Sequence, residues 1–261
     1  MSFADAEGYE LLMGRWSALL GREFVRFVAL PTHASVLDVG CGTGSLSAAI
    51  LEGVPGSRVT GIDPSPEFVE KTSARLQTPR ARFEIGDATR LSFPDAIFDA
   101  SLACLVLNFV PDSALAVAEM KRVTKAGGRV GACVWDYSGG MTMLRAFWDA
   151  AVALDRGAAS RHERRMALGH EGDIDRLLEP LGLADLRRSP LEIEMRFSSF
   201  RDFWSPFLSG AGPSGAYVSS LPPGRRDALE ERLLRDLWKG DASAPHTLPA
   251  RAWAVVGRVR E

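Results

Sequence analysis

Cysteine is scarce: the 261 residues hold three, Cys41, Cys104 and Cys133, with no CxxC pair and no Cys/His cluster. That excludes a disulfide scaffold and a cysteine-built zinc site, so no metal is expected, and it fits a reducing, cytoplasmic setting. An excess of one charge is also missing, since 31 Lys and Arg face 33 Asp and Glu for a formal net charge of −2. Such a balance offers no electrostatic footprint for gripping a phosphate backbone, so nucleic acid is not an expected partner. Long apolar runs are absent. The longest, residues 102–110, is broken by Asn108 and is too short to span a bilayer. The opening MSFADAEGYE is acidic and polar, unlike a secretory signal. There is no internal repeat and no low-complexity tract.

What is present is the raw material of one α/β domain carrying a small lid, at a length that buries a sizeable core. Residues 9–28 place Tyr9, Leu12, Met13, Trp16, Leu20 and Phe24 at helical spacing, and Pro31 ends the pattern. Strand and helix signals then alternate. Strands are expected at 34–40, 58–63, 81–87, 98–104 and 129–135, with helices at 45–53 and 66–77. A further helix is opened by Asp112 as N-cap and closed by Gly127-Gly128. Helices near 141–156 and 173–181 follow. Residues 191–197 alternate as a half-buried strand, and 251–259 form a last one. The expectation is a seven-stranded, mostly parallel sheet with helices on both faces.

The strongest local signal is Leu37-Asp38-Val39-Gly40-Cys41-Gly42-Thr43-Gly44, which follows a strand and opens a helix. Glycines there permit a tight turn and bring bare backbone to a ligand, and the helix start offers free N–H groups. Asp63 ends the second strand, where a carboxylate can accept both hydroxyls of a ribose. Asp87, next to Ala88, ends the third, where a carboxylate can accept from an adenine amino group. Three successive strand tips thus present polar groups at the edge where open α/β sheets bind ligands. A dinucleotide fingerprint is GxGxxG/A. Here the third glycine, Gly44, comes one position early, and the anionic Asp38 would repel a pyrophosphate. The same anion attracts an ammonium or sulfonium, which favours S-adenosylmethionine over a nicotinamide cofactor.

LDVGCGTGSL, GIDPS, GDATRL and DSALAVAEMKRVTKAGGRV resemble the successive motifs of class I S-adenosylmethionine-dependent methyltransferases. The likeness is nearest to the ubiquinone/menaquinone-type small-molecule enzymes. YELLMGRWS, FRDFWSPFLSG and ARAWAVVGRV resemble segments of bacterial members. The resemblance implies a Rossmann-like fold and an organisation in one unit over 1–261. Residues 1–30 form an N-terminal helix, 31–135 the cofactor-binding core, and 136–261 a substrate-side half with a helical lid insertion at about 198–250. It also implies that Gly40, Cys41, Gly42 and Gly44 line the cofactor loop, and that Asp38 holds the methionine ammonium. Asp63 with Pro64 would bind the ribose, and Asp87 and Ala88 would meet the adenine. Cys104 and Asn108 would lie beside the reacting methyl, and Tyr9 and Arg15 would close over the methionine carboxylate. The Asn/Asp-Pro-Pro-aromatic motif of amino-group methyltransferases is replaced here by LVLNFVP. With the near-zero charge, that argues for a small-molecule acceptor.

Methyl transfer from a sulfonium needs orientation and exclusion of water more than a metal. Trp135, Tyr137, Phe147, Trp148, Phe197, Phe200, Phe203, Trp204 and Phe207 are candidates to wall off the methyl, or else ordinary packing. A neutral oxygen or nitrogen acceptor would need a base. His170, Asp136 and His162 are candidates, and none is singled out. A non-catalytic S-adenosylmethionine binder and a nicotinamide-dependent oxidoreductase remain the competing readings. Oligomeric state is left open.

Overall fold

The computed structural model describes residues 6–162 and 166–260, so the first five positions of the 1–30 segment lie outside the described residues. The chain begins with α1 (Ala6–Tyr9), a π-helical turn (Glu10–Gly14) and α2 (Arg15–Val28). Then come β1 (Ser35–Val39), α3 (Ser45–Gly53), β2 (Arg58–Asp63), α4 (Pro66–Arg75), β3 (Ala81–Ile85) and β4 (Phe98–Cys104). They are followed by α5 (Ser113–Val123), β5 (Thr124–Trp135), α6 (Thr142–Leu154), α7 (Asp173–Leu178) and β6 (Ala184–Phe197). The rest comprises α8 (Phe200–Trp204), α9 (Gly212–Ser220), α10 (Pro223–Trp238) and β7 (His246–Arg258). No helix among the described residues is long and apolar enough to cross a membrane.

All seven strands join one sheet in the order β3-β2-β1-β4-β5-β7-β6. β1 pairs in parallel with β2 and β4, whereas β7 is antiparallel to both β5 and β6. Side-chain alternation sends successive residues to opposite faces, and each face has its own core. Val36, Ala100, Leu102 and Cys133 pack with α2, α3 and α6 on one side. Leu37, Val39, Ala103 and Val134 pack with α5 and α7 on the other. The order of strands reverses at β1, with β2 and β3 laid to one side and β4 and β5 to the other. That is the switch point at which an open α/β sheet leaves a crevice beyond its strand tips.

Two local expectations are corrected. The N-terminal helix is interrupted by the π turn, which adds a residue to one turn and leaves no signature in apolar spacing. Gly127-Gly128 do not close α5. The helix stops at Val123, and the glycines lie inside β5, where the register with β4 shifts between Phe98 and Ala100. Gly127 takes φ +73°, and a methyl on Gly128 would lie 2.8 Å from the Asp99 carbonyl oxygen. The pair therefore makes an irregularity within a strand. Asp112 does cap α5, its carboxylate accepting from Leu115 N at 2.9 Å.

The segment between β6 and β7 is helical, as expected, and packs on α6. Phe207 stacks on Phe147 at 4.6 Å between ring centroids, and Trp148 meets Tyr217 at 5.3 Å. Of the aromatic residues proposed to shield a reacting methyl, Trp135 and Tyr137 line a cavity. Phe147, Trp148, Phe203 and Phe207 are buried in the core.

Candidate functional site

The loop after β1 is fixed by backbone contacts. Cys41 N donates to Ile62 O of β2 at 2.8 Å, and Gly44 N donates to Cys41 O at 2.8 Å. The Thr72 hydroxyl of α4 donates to Gly42 O at 2.5 Å, and Arg75 donates to Thr43 O at 3.0 Å. The turn needs left-handed backbone at Gly40 and Gly42, with φ of +69° and +52°. A methyl at Gly40 would also come within 2.2 Å of the Val106 side chain, whereas Gly42 faces open space. Gly44, at φ +85°, starts α3 and lies against Thr72 rather than the cavity, so its part is close packing of α3 on α4.

This loop walls a cavity of about 380 Å³ at the tips of β1, β2 and β4, covered by the N-terminal helical segment. Asp38 is 1 % exposed, and its carboxylate accepts from the Ser47 hydroxyl at 2.5 Å. Burial outweighs that hydrogen bond and pushes its pKa up to about 7. Asp63 is 8 % exposed and accepts from Gly42 N and Ser65 N, each at 3.0 Å. Burial raises its pKa too, with the two backbone donors opposing the shift. The hydroxyls of Thr43 and Ser45, at the start of α3, line the same cavity and are buried without a hydrogen-bond partner among the described residues. No cationic side chain is among its described walls.

The structure gathers Tyr9, Asp38, Gly40, Cys41, Gly42, Asp63, Pro64 and Cys104 around this one space. Tyr9 shares a hydrogen bond with Ser17 at 2.8 Å, and burial pushes its phenol well above the usual range, which keeps it neutral. Cys104 Sγ lies 3.3 Å from Cys133 Sγ, a contact that with burial keeps it a thiol. Ser17, Ser65, Phe68, Val106 and Phe109 complete walls that sequence reasoning missed. For Ser65, Phe68, Val106 and Phe109 the signal is nearness in sequence to Asp63 or Cys104, whereas Ser17 lies 8 residues from Tyr9, two turns further along the helix.

Five expected residues stand elsewhere, Gly44 among them. Arg15 lies outside the cavity. It pairs with Asp202 at 3.0 Å and stacks over Trp16, because α8 brings a carboxylate within its reach. β3 ends at Ile85, so Asp87 and Ala88 fall in the turn beyond the outer strand. There Asp87 is exposed and takes the Thr89 N–H and hydroxyl, both at 2.8 Å. Asn108 sits on a short 3-10 turn off the cavity wall, its side-chain nitrogen buried without a hydrogen-bond partner among the described residues.

None of the candidate bases is among the described walls of this cavity or of the apolar one beside it. His170 is exposed beside Asp173, and His162 stacks on Trp148. Asp136 is fully buried, bound by Arg251 at 2.7 Å and by Ser138 N at 3.0 Å. These donors outweigh burial and hold its carboxyl below the ordinary range, a poor setting for taking a proton. Asp136→Asn strips Arg251 of its buried partner, and about 3 kcal/mol of stability is expected to go with it. Urea denaturation at pH 7 measures the loss.

Residues 37–132 match the family model of the methyltransferase domain. They span β1 through most of β5 and include the glycine loop, Asp38 and Asp63. Over this segment the chain is similar to methyltransferase domains. Over 125 residues, 47% of this chain and 39% of the relative, it is 38% identical to the 2-methyl-6-phytyl-1,4-hydroquinone methyltransferase of Synechocystis sp.. The match thus spans well under half the length of that relative. Nocamycin O-methyltransferase of Saccharothrix syringae is 29% identical, with 98% of this chain and 94% of that protein covered. The solved structure of Haemonchus contortus phosphoethanolamine N-methyltransferase 2 in complex with S-adenosyl-L-methionine superposes with a TM-score of 0.60 at 15% identity. That match covers 98% of this chain and 57% of the other, a likeness of fold.

Proposed function

We propose that the chain binds S-adenosylmethionine in the 380 Å³ cavity and transfers its methyl group to a small, largely apolar or aromatic molecule. One observation carries the reading: two carboxylates, Asp38 and Asp63, share a glycine-walled cavity that has no cationic side chain among its described walls. Such a space suits a ligand with hydroxyls and positive charge, and it disfavours a pyrophosphate. Asp38 would hold the ammonium, and Asp63 with Pro64 the ribose. Thr43 and Ser45 place two unpartnered hydroxyls at the start of α3, where they and the helix N–H groups would receive the carboxylate expected earlier at Arg15. Gly86 N, bonded to Asp63 O at 3.1 Å, sets Asp87 and Ala88 at the sheet edge toward which an adenine would extend.

When bound, S-adenosylmethionine supplies a methyl already activated on a sulfonium. What remains for the protein is alignment and dryness. Tyr9, Leu105 and Phe109 line both this cavity and a second, apolar one, so the path from donor to acceptor runs between them. The named relatives act on a hydroquinone and on nocamycin, which supports a small organic acceptor.

Calorimetry with S-adenosylmethionine, S-adenosylhomocysteine and NAD(H), followed by a turnover screen over quinols and phenols, tests the proposal. Binding of the first two with donor-dependent release of S-adenosylhomocysteine is expected. Binding of NAD(H) alone would overturn it in favour of an oxidoreductase, and binding without turnover on any acceptor would leave a purely binding role.

A further inference from the structure

A recess of about 220 Å³ lies at the opposite end of the strands from the donor cavity. Its walls include three arginines, Arg129, Arg187 and Arg258, and one carboxylate, Asp185. Strand register brings the arginines together. Arg129 of β5 pairs directly with Arg258 of β7, and Arg187 of β6 pairs with Val256, two residues before Arg258. Side chains two apart on a strand share a face, so all three guanidinium groups stand on the side of the sheet that α2 covers. Like charges directly opposite each other on neighbouring strands are destabilising. Burial holds the Arg129 guanidinium below its usual pKa, and repulsion from Arg187 and Arg258 adds to the effect.

Part of this charge is already engaged. Arg187 Nη2 donates to the carbonyls of Phe27 and Val28 at 3.0 and 3.3 Å, and Arg129 Nη1 donates to that of Ala29. Arg258 Nε donates to Gly127 O at 3.4 Å, and its Nη1 lies 3.7 Å from the Asp185 carboxylate. A guanidinium has five N–H donors, so these contacts occupy a minority of those present. The carboxyl end of α2 contributes about half a negative charge and Asp185 a whole one. Against three guanidinium groups, more than one positive charge stays unmatched among the described walls.

We infer that this recess binds a small soluble phosphate monoester, a ligand distinct from both methyl donor and methyl acceptor. A dianion answers the surplus charge, and its oxygens accept the paired N–H groups that guanidinium forks present. The space is smaller than pockets that take drug-sized ligands, so the organic part of the ester is short. The inference is independent of what the first cavity holds.

Calorimetry on the full chain, at about pH 8 and low ionic strength, tests it with methyl phosphate, which is doubly charged there. Methyl sulfate, a monoanion of the same shape, is the control. Methyl phosphate is expected to bind about tenfold more tightly than methyl sulfate. Arg258→Gln is expected to weaken methyl phosphate about tenfold. Asp185→Asn is expected to tighten it about fivefold by removing the competing carboxylate, and asparagine tolerates the left-handed backbone at that position, φ +50°. A change that merely damaged the fold would not raise affinity. Equal affinity for the two probes overturns the inference, as does an Asp185→Asn variant that binds no more tightly than wild type. Failure of methyl phosphate to bind overturns it too. If vesicles of phosphatidic acid in phosphatidylcholine bind where methyl phosphate does not, the recess serves a lipid surface and the small-ligand assignment falls.

Discussion

Asp63→Ala is expected to weaken S-adenosylhomocysteine binding by about a hundredfold or more, with the far-UV circular dichroism unchanged. Asp63 ends β2, and its two oxygens are already turned toward the loop by Gly42 N and Ser65 N. Hydrogen bonds to a charged group contribute about 1.5–3 kcal/mol each, so losing the two from a ribose diol costs about 3 kcal/mol or more. The alanine variant also frees the Gly42 amide, which loosens the loop that shapes the site. Asp63→Asn keeps one acceptor oxygen and should lose about tenfold. Calorimetry decides, and an alanine variant that binds within threefold of wild type would remove Asp63 from the site.

Affinity for the amino-acid end of the ligand should depend steeply on pH. In the empty cavity Asp38 has a pKa near 7, raised by burial, so it is half protonated at neutrality. A bound ammonium favours the charged form, and binding below pH 7 must therefore expel a proton. Between pH 7.5 and 5.5 the Kd of S-adenosylhomocysteine is expected to rise by about thirtyfold. 5′-Methylthioadenosine, which lacks the amino-acid tail, should show a flat profile over the same interval. A tail-bearing ligand with a flat profile would mean that Asp38 is not its partner. The same residue lowers the stability of the empty protein. Its folded pKa of about 7 lies above the ordinary aspartate value of 3.8, so the penalty is absent below the lower figure, grows between the two and is complete above the upper. Asp38→Asn should therefore flatten the decline of the empty protein's Tm from pH 5 to pH 8 while abolishing binding. Stability gained with function lost is the pattern expected of a residue kept for its ligand.

Much of the donor side was legible because the relevant residues are local. The run from Asp38 to Gly44 declares a turn between a strand and a helix, and Asp63 declares the tip of the next strand. Arg15 was misplaced because its charge suits any carboxylate, and Asp202, which claims it, lies 187 residues away. Asp87 was read as part of a strand that stops two residues sooner, at Ile85. The apolar second cavity was invisible for a related reason. Leu12, Leu144 and Ser214 meet only once α9 folds over the sheet, and no spacing rule links them. The π turn at Glu10–Gly14 shifts Tyr9 relative to Leu12 without altering composition, so periodicity passed over it. The seven strands were legible in kind, while the reversed direction of β7 depends on pairing rather than on pattern.

That reversed strand bears on how the chain acquires its shape during synthesis. β7 is the last of the seven strands in chain order, yet it sits between β5 and β6. Until it emerges from the ribosome, β6 has no strand to pair with, and the apolar side formed by Leu191, Ile193, Met195 and Phe197 has no sheet to join. The amino-terminal five strands can assemble while translation continues, whereas the distal half must wait for the final segment to thread into an interior slot. A ribosome stalled just before residue 246 should therefore expose a sticky, protease-sensitive intermediate on which a holdase chaperone would act.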